Sequence, residues 1–154
     1  MLTALKEPMK KDEIFVTPLD RVDDFTFDAR VADVFENMIE RSVPGYRQIL
    51  ELIGLIAENH AQEETRCYDL GCSLGAATLM LRRHVPASCH VIGVDNSPAM
   101  IERCRNNVQR DHSGATVEIR EQSLQDTAIE NASIVTLNFT LQFVAPDERE
   151  KVIS

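Results

Sequence analysis

The sequence predicts an α/β domain built on a doubly wound parallel sheet, and three observations predict it. From residue 65 onward, short apolar runs alternate with stretches of helical periodicity. Small-residue turns join each run to the stretch that follows. The chain has 154 residues, 44% of them hydrophobic, which suits one domain with its own core. Strands that alternate with helices form βαβ units, and such units build a parallel sheet covered by helices on both faces.

Residues 1–27 are polar and irregular, with Pro8 and Pro18, and read as an arm that packs over the domain or a partner. Asp28 is placed to N-cap the next segment. There Val31, Val34, Phe35, Met38 and Ile39 recur at helical spacing. Pro44 and Gly45 break that helix. A second starts near Tyr46, with Ile49, Leu50, Ile53 and Ile56 on one face. These two helices, over 28–60, cap a domain that occupies 28–154. A short strand over 65–70 enters a small-residue loop, 71–75, and then a helix over 76–84. A second strand over 90–94 ends at Asp95, and Ser97 and Pro98 stand as N-cap and first residue of a helix running to about Arg110. Val117 and Ile119 alternate with polar residues as in a third strand. Residues 133–138 form a fourth, and Pro146 opens a last helix.

Composition limits the partners. A net charge of −9 repels phosphate backbones, and the basic residues are scattered, so direct nucleic-acid binding is not expected. No run is long and apolar enough to span a membrane. Residues 1–13 lack the apolar core of a signal peptide, so a cytoplasmic protein is expected. Cys67, Cys72, Cys89 and Cys104 include no Cys-x-x-Cys pair, and the histidines make no chelating pair. No metal is expected, and the cysteines read as reduced, partly buried thiols.

The string DLGCSLG (69–75) carries the chemistry. Gly71 and Gly75 permit a tight turn and close approach of a ligand. The helix beyond offers unpaired N–H groups at its start. Asp95 stands 24 residues after Gly71, where an acid accepts hydrogen bonds from a ribose diol. Three chemistries compete here with an ordinary strand-to-helix turn. The G-x-G-x-x-G of nicotinamide and flavin sites does not fit Gly71, Ser73 and Gly75. G-x-S-x-G matches literally and would make Ser73 a nucleophile, but it needs a later acid and then a histidine. Only His84, His90 and His112 follow, none in a suitable late loop. A site for S-adenosylmethionine uses an acid, a small-residue loop and a second acid, and Asp69, Gly71, Ser73, Gly75 and Asp95 supply all of these.

Four strings in order, RSVPGY (41–46), YDLGCSLGAAT (68–78), DNSPAMIERCR (95–105) and NFTLQF (138–143), resemble the carboxy-S-adenosylmethionine synthase family. The resemblance runs from about Phe15 to Arg149. It implies a class I methyltransferase-like, Rossmann-like fold. It also implies conversion of S-adenosylmethionine and prephenate to carboxy-S-adenosylmethionine, phenylpyruvate and water, with the product serving a separate enzyme that modifies the wobble uridine of tRNA. S-adenosylmethionine is then a substrate, and the partners are small molecules and a second copy in a homodimer. The positive sulfur acidifies its methyl group, so the protein's work is positioning, electrostatics and exclusion of water, and no dedicated catalytic side chain is assigned.

By the same resemblance, Tyr46 contacts the cofactor from the capping helix, and Gly71, Cys72 and Ser73 line its methionine part. Asp95 binds the ribose hydroxyls, and Asn96 sits beside the adenosine. Asn138 ends the fourth strand and faces the reacting end. Ser123 stands where the family usually has an acid, and Ser123 and Leu124 frame adenine. The family's sheet has seven strands, against four placed here, and its later carboxylate-binding arginine has no counterpart. The fold is therefore expected to be incomplete at the C-terminus, with an open sheet edge. Two other functions share the loop: methyl transfer to tRNA or to a small molecule, and binding of S-adenosyl compounds by an inactive fragment.

Overall fold

The structure, a computed structural model, describes residues 29–153. The expected N-terminal arm and the Asp28 cap lie outside the described residues. Helix α1 (Ala29–Ser42) ends before Pro44 and Gly45, and α2 (Tyr46–His60) begins directly after Gly45, whose φ is 77°. Then come β1 (Arg66–Leu70), α3 (Ala76–His84), β2 (His90–Asp95), α4 (Pro98–Arg110), β3 (Thr116–Glu121), β4 (Ala132–Thr136) and α5 (Arg149–Ile153). Short 3-10 turns at Leu124–Asp126 and Leu141–Phe143 flank β4. Ser97 caps α4 as expected: its hydroxyl accepts from the Met100 N–H at 3.3 Å, and Pro98 fills the first turn.

The strands lie in the order β3-β2-β1-β4, and every neighbouring pair is parallel. The chain builds outward from β1 to β3 and then crosses back to place β4 on the other side of β1. That reversal opens a crevice at the carboxyl ends of β1 and β4.

One face of the sheet presents Cys67, Val91, Val117 and Ile134 to Ala57 of α2 and to Leu81 and Val85 of the α3 end. On the same face Ile119 meets Ile101, Cys104 and Val108 of α4. The opposite face presents Tyr68, Leu70, Ile92 and Val94, which pack with Leu124 and Leu137 from connecting segments. There the buried Tyr68 hydroxyl donates to the Glu130 carbonyl at 3.3 Å. The parallel α/β sheet with flanking helices is as expected. Among the described residues, α2, α3 and α4 share one face, and the β3–β4 connection is too irregular to form a full crossover helix.

Three expectations change. Helix α2 does not turn Ile56 inward: Ile56 is 47% exposed, while Gly54 and Ala57 are buried. A Cβ on Gly54 would stand 2.7 Å from the His84 ring, so the smallest residues set the approach of α2 to α3. The fourth strand stops at Thr136, which leaves Asn138 in a turn beyond it rather than at its end. Phe139 takes a left-handed backbone (φ 57°) that no strand could continue. The last helix starts at Arg149, because residues 146–148 close as a turn in which the Glu148 N–H donates to the Ala145 carbonyl at 2.9 Å. Among the described residues, no helix is long and apolar enough to cross a membrane.

Candidate functional site

The loop after β1 is shaped by two glycines. Gly71 has φ 81°, and a Cβ there would lie 2.5 Å from the Thr140 side chain. The Thr140 hydroxyl donates to the Leu70 carbonyl at 2.7 Å, so the segment after β4 is latched against the end of β1. Gly75 has φ 87° and leaves room for the Cys104 thiol, which a Cβ would meet at 2.7 Å. Between the glycines, the N–H groups of Gly71 and Cys72 both donate to the Val94 carbonyl, at 2.8 and 2.9 Å. Ser73 is left-handed (φ 48°), and its N–H donates to Asp95 Oδ2 at 2.9 Å.

Asp95 thus joins two elements. Its Oδ2 takes the loop through Ser73, and its Oδ1 accepts from the Ser97 N–H at 2.9 Å, fixing the start of α4. Burial raises its pKa, and the backbone donors oppose that rise. Each carboxylate oxygen has a second lone pair, so room remains for a diol.

Below the loop, Asp69 is 1% exposed. It accepts from the Thr78 hydroxyl at 2.6 Å and from the Thr136 hydroxyl at 3.0 Å, tying α3 and β4 to β1. Burial pushes its pKa up.

These pieces wall a cleft of about 880 Å³, within the range of ligand sites. Around the loop it is lined by Tyr46, Asp69, Gly71, Cys72, Ser73, Asp95, Asn96, Leu124, Asn138 and Phe139, and it continues over α3 and α4 to Arg83 and Asp111. Of the residues assigned from the sequence, all but Ser123 line it. Ser123 caps the Leu124–Asp126 turn and its hydroxyl donates to the Gln125 side chain at 2.5 Å, so its neighbours Leu124 and Gln125 take the wall instead. Asn138 lines the cleft from its turn.

Among the wall residues that the sequence reading missed, four bear on the ligand's charge. Phe139 faces Tyr46, with ring centroids 6.5 Å apart and planes tilted by 41°. Glu36 and Glu40 reach the cleft from α1, and Arg47 from the start of α2. Helical periodicity marked the apolar side of α1, and nothing in it told which polar residues border a cavity. Arg47 is held by Glu40, with N–O distances of 2.7 and 2.8 Å. Arg83 is paired with Asp111. The wall around the loop is therefore acidic on balance, with Asp69, Asp95, Glu36 and Glu40 against the already paired Arg47. Tyr46 feels this: burial first, then Asp69, Glu36 and Glu40, push its phenol up to about 12, so it stays a hydrogen-bond donor.

All four cysteines are free and buried, and they lie as two neighbouring pairs. Cys72 and Cys104 have their sulfurs 4.0 Å apart behind the loop. The contact with Cys104 and burial raise the Cys72 pKa, which keeps this thiol protonated.

Comparison with known proteins agrees with this architecture. Residues 68–154 match the family model described as "Methyltransferase domain". A carboxy-S-adenosyl-L-methionine synthase of Erwinia tasmaniensis is 52% identical over 145 residues, which is 94% of this chain and 59% of the relative. One of Vibrio cholerae is 54% identical over 140 residues, 90% of this chain and 57% of the relative. The chain thus spans under three fifths of the length of these curated relatives. Among solved structures, magnesium protoporphyrin IX methyltransferase from Synechocystis superimposes with a TM-score of 0.55 at 17% identity, over 86% of this chain and 58% of that one. A SAM-dependent methyltransferase from Methanosarcina mazei gives 0.52 at 21% identity, over 64% of this chain and 48% of that one. Both likenesses concern the fold.

Proposed function

The chain belongs to the methyltransferase-domain family, and from that premise we propose that its cleft binds S-adenosylmethionine and serves the formation of carboxy-S-adenosylmethionine. The observation that carries the cofactor reading is the link between Ser73 and Asp95. It brings a small-residue loop and a ribose-binding acid to one wall, 2.9 Å apart. The acidic balance of that wall supports the same ligand, because a sulfonium is a cation. The likeness to the synthases, across nine tenths of the chain, supports the carboxyl transfer.

In this reading the carboxyl donor is prephenate. Its ring carboxylate departs as carbon dioxide, and its ring hydroxyl departs with the proton lost from the sulfonium methyl carbon, together making water. A new carbon–carbon bond joins that methyl carbon to carbon dioxide, and the ring is left as phenylpyruvate. The chain's own residues do the holding. Asp95 anchors the ribose, Leu124 covers the base, and Gly71 to Ser73 pass the methionine half. Tyr46, protonated throughout, donates to the ligand from the capping helix. Such positioning, in a site closed to water, lowers the barrier without an acid or base on the protein. The product would feed a separate tRNA-modifying enzyme, and the working form would be a homodimer.

Calorimetric titration with S-adenosylmethionine, followed by mass spectrometry of the ligand after adding prephenate, tests both parts. The expected result is binding, then gain of one carbon dioxide only when prephenate is present. Failure to bind overturns the cofactor reading. Binding without carboxylation overturns the carboxyl transfer for this chain, and methyl transfer without prephenate would replace it with an ordinary methyltransferase.

A further inference from the structure

Two non-glycine residues of the cleft wall have left-handed backbones, Ser73 and Phe139. The bond from the Ser73 N–H to Asp95 accounts for the first. Phe139 is a different case, because a bulky residue in this region is strained. Its neighbour Thr140 is latched to Leu70 against Gly71, so the turn is pinned where the loop passes. What the turn delivers is a ring aimed across the cleft at Tyr46.

We infer that Tyr46 and Phe139 form an aromatic corner that receives a sulfonium, and that the ring of Phe139 makes the cleft prefer this cation over the matching neutral thioether. The inference rests on the cofactor reading and deepens it. With the ribose anchored at the end of β2 and the methionine half passing Gly71, which lies against Thr140, the sulfur would be brought toward the β4 side of the loop. The Phe139 turn borders that point. Aromatic faces attract a cation within about 6 Å of the ring centre. Ring centroids 6.5 Å apart allow one cation to lie within about 6 Å of both.

The test compares S-adenosylmethionine with S-adenosylhomocysteine, its uncharged thioether, by calorimetry on the full chain. Phe139→Leu keeps apolar bulk and removes the ring. It is expected to weaken S-adenosylmethionine about two- to fivefold while leaving S-adenosylhomocysteine unchanged. Phe139→Tyr should restore the preference. Phe139→Gly, which relieves the backbone, should melt cooperatively and show the same lost preference, which separates the ring's effect from folding. Equal weakening of both ligands, or an undiminished preference in Phe139→Leu, overturns the inference and leaves the cofactor reading standing. A wild-type chain that binds neither ligand overturns both.

Discussion

Asp95 shows how much one side chain can organise. Its two oxygens hold the Ser73 and Ser97 N–H groups, so the shape of the loop and the start of α4 depend on one carboxylate. In Asp95→Asn a single oxygen remains, and the amide would point a donor at a donor. Hydrogen bonds to a charged acceptor are worth about 1.5–3 kcal/mol, so affinity for S-adenosylmethionine should fall at least about tenfold. Calorimetry beside a far-ultraviolet spectrum would show the loss with the fold retained. The sequence singled out Asp95 by its place at the end of a strand, and the structure puts it there on the cleft wall. Ser123 does not line the cleft, because its hydroxyl is satisfied locally on Gln125.

Among the elements, α2 is the most instructive. Its apolar spacing groups Ile56 with Ile49, Leu50 and Ile53, whereas close approach to α3 turns Gly54 and Ala57 inward and leaves Ile56 exposed. Gly54→Val would drive two methyl groups into the His84 ring and should cost about 1–3 kcal/mol. Ile56→Ser, at an exposed position, should stay within about 0.5 kcal/mol of wild type. Urea unfolding of the two variants checks this, and the opposite order would restore the face that the apolar spacing alone suggests. Helix α3 behaved differently: its bounds were legible because Gly75 opens it and Pro86 follows its end.

At the scale of the molecule, two kinds of acid give stability opposite pH dependences. Burial raises the pKa of Asp69, so its contribution is complete below the ordinary carboxylate range and is lost as pH rises through the folded value. Glu118 is held down to about 2 by Arg120, with help from His90, so its contribution is present above 4.5 and is lost as pH falls toward 2. Glu118 is half exposed, and water screens that part. The melting temperature should therefore rise as pH is lowered toward the ordinary carboxylate range and fall again as Glu118 takes up its proton below it. Asp69→Asn should flatten the alkaline side of the profile and leave the acid side intact. An unchanged alkaline slope would mean that Asp69 is not ionising in this range.

The sequence alone determined the order of strands and helices, the small-residue loop after β1, the acid at the end of β2 and the cap of α4. Each of these is written in neighbouring residues, through side-chain period, turn chemistry and capping. Tertiary structure decided the rest. It put β4 beside β1, latched Thr140 against Gly71, turned Phe139 toward Tyr46 and brought Glu36, Glu40 and Arg47 to the cleft. Those contacts join residues far apart in the chain. Their geometry follows from packing and from the satisfaction of buried polar groups, which no local pattern of residues records.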